Sequence, residues 1–117
     1  MREVYADVVL KGAAGTKSMR LLVNTGSTFT WIHSKVLRAL GILPLGRDSF
    51  ETIENRVATR RIGEAVLEYE GDARTTIVVF ARPGDGEVLG LYALEGLGLE
   101  VDPRGRRLRK RARLLAM

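Results

Sequence analysis

Cysteine is missing from all 117 residues, which excludes disulfides and thiolate metal sites. A single histidine, His33, is too little for a histidine metal cluster, so neither a metal nor a cofactor is expected. Glutamine is also absent and asparagine stands only at 24 and 55, while arginine outnumbers lysine 15 to 4. Scarcity of heat-labile amides fits a thermophile, although a GC-rich genome biases usage the same way. No apolar run approaches the roughly 20 residues that cross a bilayer, and Met1-Arg2-Glu3 begins no secretory signal. With 28% charged and 45% hydrophobic residues, one folded, cytoplasmic domain with no membrane partner is expected.

Negative charge is missing from the end of the chain. Seven of the ten residues from Arg104 to Arg113 are basic and none is acidic, so the net charge of +5 belongs to the tail. Residues 1–103 carry 12 basic and 14 acidic groups, a net of −2. The natural division is therefore a body, 1–103, and a basic C-terminal strand or tail, 104–117. A solvated terminus is the plain reading of that tail. Salt-sensitive contact of 104–113 with nucleic acid is the sharper one. Aromatics are only 6% of residues, and no aromatic-interleaved basic strand offers bases a stacking surface.

What is present is strand pattern. Glu3 to Gly12 alternates, with Val4, Ala6, Val8 and Leu10 on one face. Residues 13–18 form a small polar connection, and Met19 to Val23 resumes the strand. Ser34 is placed to cap a helix over Lys35–Leu40, with Gly41 as its C′ glycine. Phe50 to Ala58 reads as a hairpin turning at Ile53-Glu54-Asn55-Arg56, where Asn tolerates the left-handed region. Strands are expected over Arg61–Tyr69 and Thr75–Ala81. Val88-Leu89-Gly90 then leads into a second short helix, Leu91–Leu97, and Asp102-Pro103 turns into a last strand, Arg106–Arg109. Leu37-Arg38-Ala39-Leu40-Gly41-Ile42 is echoed 57 residues later by Leu94-Glu95-Gly96-Leu97-Gly98-Leu99. Each copy follows a hairpin and a glycine loop; an internal repeat and the chance recurrence of a common helix end are the two readings.

The stretch Leu21-Leu22-Val23-Asn24-Thr25-Gly26-Ser27 joins these parts. Taken locally, Asn24 to Ser27 is a turn between strands. With Asp at position 24, it resembles the apolar-apolar-Asp-Thr-Gly-Ser loop of the retropepsin-like (retroviral-type) aspartic proteases, in particular the single-lobe microbial members. Val88-Leu89-Gly90 resembles their supporting apolar-apolar-Gly loop. The resemblance implies a mainly β fold, a closed, barrel-like acid-protease lobe with two short helices. It also implies a homodimer acting on peptide or protein substrates, each subunit supplying one carboxylate from the position of Asn24. Two such carboxylates share a proton; one takes a proton from water while the other polarises the scissile carbonyl.

By the same resemblance, Thr25 locks the two loops together and Gly26 brings its amide to the catalytic oxygens. Ser27 bonds the outer carboxylate oxygen, and Ile53 and Val57 belong to a flap that closes on substrate beside Ser27 and Gly90. A plain surface hairpin is the other reading of residues 53–57. Asn24 is the departure. An amide keeps the shape and one acceptor but takes no proton from water, so the chain as given is expected to be inactive. An engineered Asp→Asn change and a naturally inactive, peptide-binding relative both account for it. His33 is expected to be structural or at the surface and Trp31 in the core. Asp48, Asp72, Asp85 and Asp102 are expected to be ordinary turn residues.

Overall fold

The computed structural model describes residues 3–104 and 106–116. Met1 and Arg2, and Gly105 and Met117 of the tail, lie outside the described residues. The chain is mainly β, with nine strands and two short helices among the described residues. Strands β1 (Tyr5–Gly12), β2 (Gly15–Val23) and β3 (Thr30–His33) precede helix α1 (Ser34–Ala39). Strands β4 (Gly46–Glu51), β5 (Val57–Tyr69), β6 (Asp72–Ala81) and β7 (Val88–Leu89) lead to helix α2 (Leu91–Gly96). The chain ends in β8 (Leu99–Asp102) and β9 (Arg107–Lys110).

Seven strands form one sheet in the order β1-β2-β7-β3-β6-β5-β4, and β1 also pairs with β5 through Val9 to Lys11. The sheet therefore curls until one end meets the other side of β5. Its inner surface carries the alternation read in the sequence. Ala6, Val8 and Leu10 of β1 are buried, as are Ala65 and Leu67 of β5 and Val78 and Phe80 of β6. Leu37 and Leu94 of the helices, with Leu40 and Leu97 that end them, close the core. No helix among the described residues is long and apolar enough to cross a membrane.

Several boundaries differ from the sequence reading. The first hairpin turns on Ala13-Ala14 alone, so Thr16, Lys17 and Ser18 lie inside β2; pairing with β1 recruits polar residues on a solvent-exposed stretch. Likewise β4 begins at Gly46 although Gly46 to Ser49 has no apolar alternation, because the ladder with β5 carries it. The second arm of the Phe50–Ala58 hairpin and the strand expected over Arg61–Tyr69 are one continuous strand, Val57–Tyr69. The second helix ends at Gly96, one residue short of the expected Leu97, and the last strand runs 107–110 rather than 106–109. Ser34 does not cap α1. His33 occupies the cap position without a side-chain bond, and the Ser34 hydroxyl instead accepts from Arg38 Nε at 3.1 Å. The β5–β6 turn falls on Glu70-Gly71, so Asp72, expected in a turn, opens β6; both turn residues have positive φ (48° and 89°), the twist a two-residue hairpin needs.

The internal repeat is structural. Helices α1 and α2 are six residues each, 57 positions apart, and each is followed by a left-handed glycine, Gly41 at φ 74° and Gly98 at φ 67°. The two sites differ in their surroundings. A Cβ on Gly41 would stand 3.1 Å from the Ala14 backbone nitrogen and Cβ, whereas one on Gly98 would meet the end of the flexible Leu114 side chain at 3.3 Å. Each glycine→alanine change should cost about 1 kcal/mol or more from the positive φ. Urea titration should find Gly41→Ala the more damaging of the two.

Candidate active site

The loop after β2 is built by interlock with the loop after β7. Strand β7 is only two residues long, yet it lies between β2 and β3, parallel to one (Leu22 beside Val88, Val23 beside Leu89) and antiparallel to the other (Trp31 beside Val88). The Asn24 amide donates to Leu89 O at 3.0 Å. In return the Leu91 and Tyr92 amides donate to Ser27 O and Thr28 O at 2.8 and 2.9 Å. Gly90 lies buried beneath this crossing, and its amide donates to the buried Thr30 hydroxyl at 3.1 Å. A Cβ there would come within 2.2 Å of Phe29 O and 2.9 Å of Ser27 O. Only glycine fits.

This frame presents Asn24, Thr25 and Gly26 at the surface. Asn24 Oδ1 accepts the Gly26 amide at 2.9 Å, so the side chain is turned back over the loop. Ser27 behaves differently. Its hydroxyl donates to Phe29 O at 2.8 Å and so tightens the loop from within, in place of the expected bond to the residue 24 side chain.

A groove of about 590 Å³ runs from Asn24, Gly26 and Ser27 past Trp31 to the β4–β5 hairpin. The hairpin turn is the expected one: Thr52 N donates to Arg56 O, Asn55 has φ 59°, and Thr52 Oγ1 accepts the Glu54 and Arg56 amides. Phe50 pairs with Ala58, and Asp48 with Arg60, so those residues share one face of the ribbon. Phe50, Ala58 and Arg60 line the groove, as does Ile53 at the tip. Val57, at the far end of the turn, is 71% exposed and is absent from the groove lining. Gly90 supports the loop from below and is likewise absent from the groove lining. Thr25 faces a second hollow of about 390 Å³, shared with Val4, Leu22, Val23 and Val101.

Three features in and beside the groove escaped the sequence reading. Trp31 is half-buried rather than core, its ring against Phe50 with centroids 5.1 Å apart. Phe29 extends the cluster to Phe50 and Tyr92. The third feature is an ion pair. Arg60 donates from Nε and Nη2 to the two oxygens of Asp85 at 2.8 and 3.0 Å, and its guanidinium lies 6.0 Å from the Trp31 ring centre. The paired guanidinium, together with the Arg82 amide, holds the Asp85 carboxyl below the usual carboxylate range against the opposing effect of burial. His33 is structural, as expected: its amide donates to Glu87 Oε2 and its Nε2 stands 3.1 Å from Asp85 O.

Among the described residues no cluster of His, Cys, Asp or Glu could hold a metal ion. No protein-family model matches the chain, and no curated protein is similar to it at a significant level.

Gly90→Ala should cost about 3 kcal/mol or more, because the added carbon meets backbone that cannot rotate away; a denaturant midpoint within error of the original would contradict the interlock. Asp85 should shape the acid limb of stability. Its native pKa is lowered, so its contribution is present above about pH 4 and is lost as pH falls through the native value. Arg60, Arg82, His33 and Glu87 surround it and stay in place in Asp85→Asn. That variant should be less stable at pH 6 and lose less on acidification to pH 3, read as a converging pair of urea midpoints.

Proposed function

We propose that this chain is the single-lobe subunit of a retropepsin-like aspartic peptidase that works as a homodimer, with its catalytic position silenced by Asn24. The observation that carries the reading is the interlock of the 24–27 and 88–90 loops through four main-chain amides and a glycine that admits no side chain. The β1–β5 pairing supports a closed, barrel-like acid-protease lobe, and the 57-residue repeat supports its two-fold internal plan. Exposure of Asn24, Thr25 and Gly26 beside the hollow at Val4 and Val101 is what docking of a second subunit there requires.

In such a dimer the two residues at position 24 face one water. With Asp at both, like charges cannot both ionise, so one carboxylate acts as base and the other, protonated, polarises the carbonyl. The Gly26 amide steadies the oxygen it already reaches in Asn24. The hairpin tip at Ile53 closes on an extended peptide in the groove and excludes water. Asn at both positions leaves no base, so binding persists without hydrolysis.

A natural peptide-binding relative is the second reading, and Asn24 itself favours it. The nucleic-acid reading is weakened by the tail's own pairing. Arg109 bonds Glu100, Arg111 lies within ion-pair reach of the same residue, and Lys110 pairs with Asp72.

Asn24→Asp should hydrolyse a denatured protein somewhere between acidic and neutral pH, with specific activity falling on dilution as the dimer separates. A statine-type transition-state mimic should block it, and the chain as given should cleave nothing. If neither form cleaves while both are folded, the peptidase reading fails.

A further inference from the structure

The β4–β5 hairpin leaves the rest of the sheet at a definite point. The β5–β6 ladder ends at Ile62 beside Val79, and from 57 to 61 β5 is paired only with β4. Two side-chain ties bring this projecting part back to the body. One is apolar: Phe50 of β4 meets Trp31 and Phe29 edge-on, with centroids 5.1 and 6.2 Å apart. The other is ionic: Arg60, two residues beyond the last rung, grips Asp85 in the β6–β7 loop with two parallel bonds.

The anchor at Asp85 is itself fixed. Arg82-Pro83-Gly84-Asp85 has the residues a type II turn calls for, with Gly84 at φ 95° and the Asp85 amide donating to Arg82 O. Asp85 Oδ2 accepts the Arg82 amide, and Asp85 O lies against the His33 ring. The pair is largely sheltered, with 14% of the Arg60 and 20% of the Asp85 side chain exposed, so water competes poorly for it. Of its remaining donors, Arg60 Nη1 bonds Thr59 O, which sets the guanidinium beneath Trp31.

We propose that Arg60 and Asp85 are positioning residues: a latch that sets the height of the hairpin over the groove and, through it, the Trp31–Phe50 wall against which a ligand lies. The fork geometry matters as well as the charge, since an ammonium at position 60 offers a point contact where two parallel bonds are made. The role in peptide binding rests on the peptidase reading; the latch itself does not.

The test uses the chain as given and four variants: Asp85→Asn, Arg60→Lys, Arg60→Met, and the charge-swapped pair Arg60→Asp with Asp85→Arg. Hydrogen exchange of the β4–β5 amides from Arg47 to Arg61 should quicken by about tenfold or more in Asp85→Asn and Arg60→Met, with β6 amides unchanged. Arg60→Lys should fall between, and the swapped pair should recover part of the protection. Trp31 is the single tryptophan, so its fluorescence reports the wall directly; the emission maximum should shift and acrylamide quenching should rise in step with exchange. In the Asn24→Asp background, Asp85→Asn should raise KM for a peptide several-fold and change kcat less. Unaltered hairpin exchange and Trp31 emission in folded single variants overturn the latch. An altered hairpin with unaltered KM overturns its role in binding. Absence of cleavage by Asn24→Asp alone counts against the peptidase reading and leaves exchange and emission to decide the latch.

Discussion

Everything at the candidate site depends on one close approach, that of the Gly90 backbone to the carbonyls of Ser27 and Phe29. Two loops that each leave a strand would otherwise expose a row of unsatisfied main-chain groups. Here they satisfy one another: Asn24 donates to Leu89, Leu91 to Ser27, and Tyr92 to Thr28. Because those donors are backbone, the position of Asn24 is fixed by the sheet rather than by its own side chain. The two-residue strand β7 is enough to do this because it is wedged between β2 and β3 and buries Leu89 completely.

The same economy governs charge. The body's slight excess of acid is spent near the basic terminus, where Glu100, Asp102 and Asp72 answer Arg109, Arg111 and Lys110. Lys110 also reaches Leu97 O, and Arg111 N reaches Gly98 O, so the terminal strand is stitched to the end of α2. Part of a stretch that looks like a free polycation in one dimension, Arg107–Lys110, is in three dimensions half of a hairpin, with counter-ions beside Arg109, Lys110 and Arg111. Such exposed pairs add little stability individually. Their effect is to reduce the field that the tail presents to a polyanion.

The elements most legible in the sequence were those with a local cause. Alternation at Ala6, Val8 and Leu10 marked a half-buried strand, and the left-handed requirement at Gly41 and Gly98 marked two helix ends. Asn55 at positive φ marked the hairpin turn. Features with a partner far along the chain were misread or missed. Ser34 had the chemistry of a cap but bonds Arg38, and Gly46 to Ser49 had no strand signal of their own. Which residues of the 46–62 hairpin line the groove depends on a cross-strand register that no local pattern records.

The sequence by itself determined the strand faces, the two helix ends and the Asn-Thr-Gly-Ser loop, because each is written in residues within a few positions of one another. It also determined that position 24 holds an amide, which cannot carry a proton as a carboxylate does. Tertiary structure alone decided which way the Ser27 hydroxyl turns, that Trp31 stands at a groove, and that Arg60 meets Asp85 across 25 residues. Those outcomes are set by which strands become neighbours. That is a property of the whole sheet, since each added rung fixes the next and no short window contains both partners.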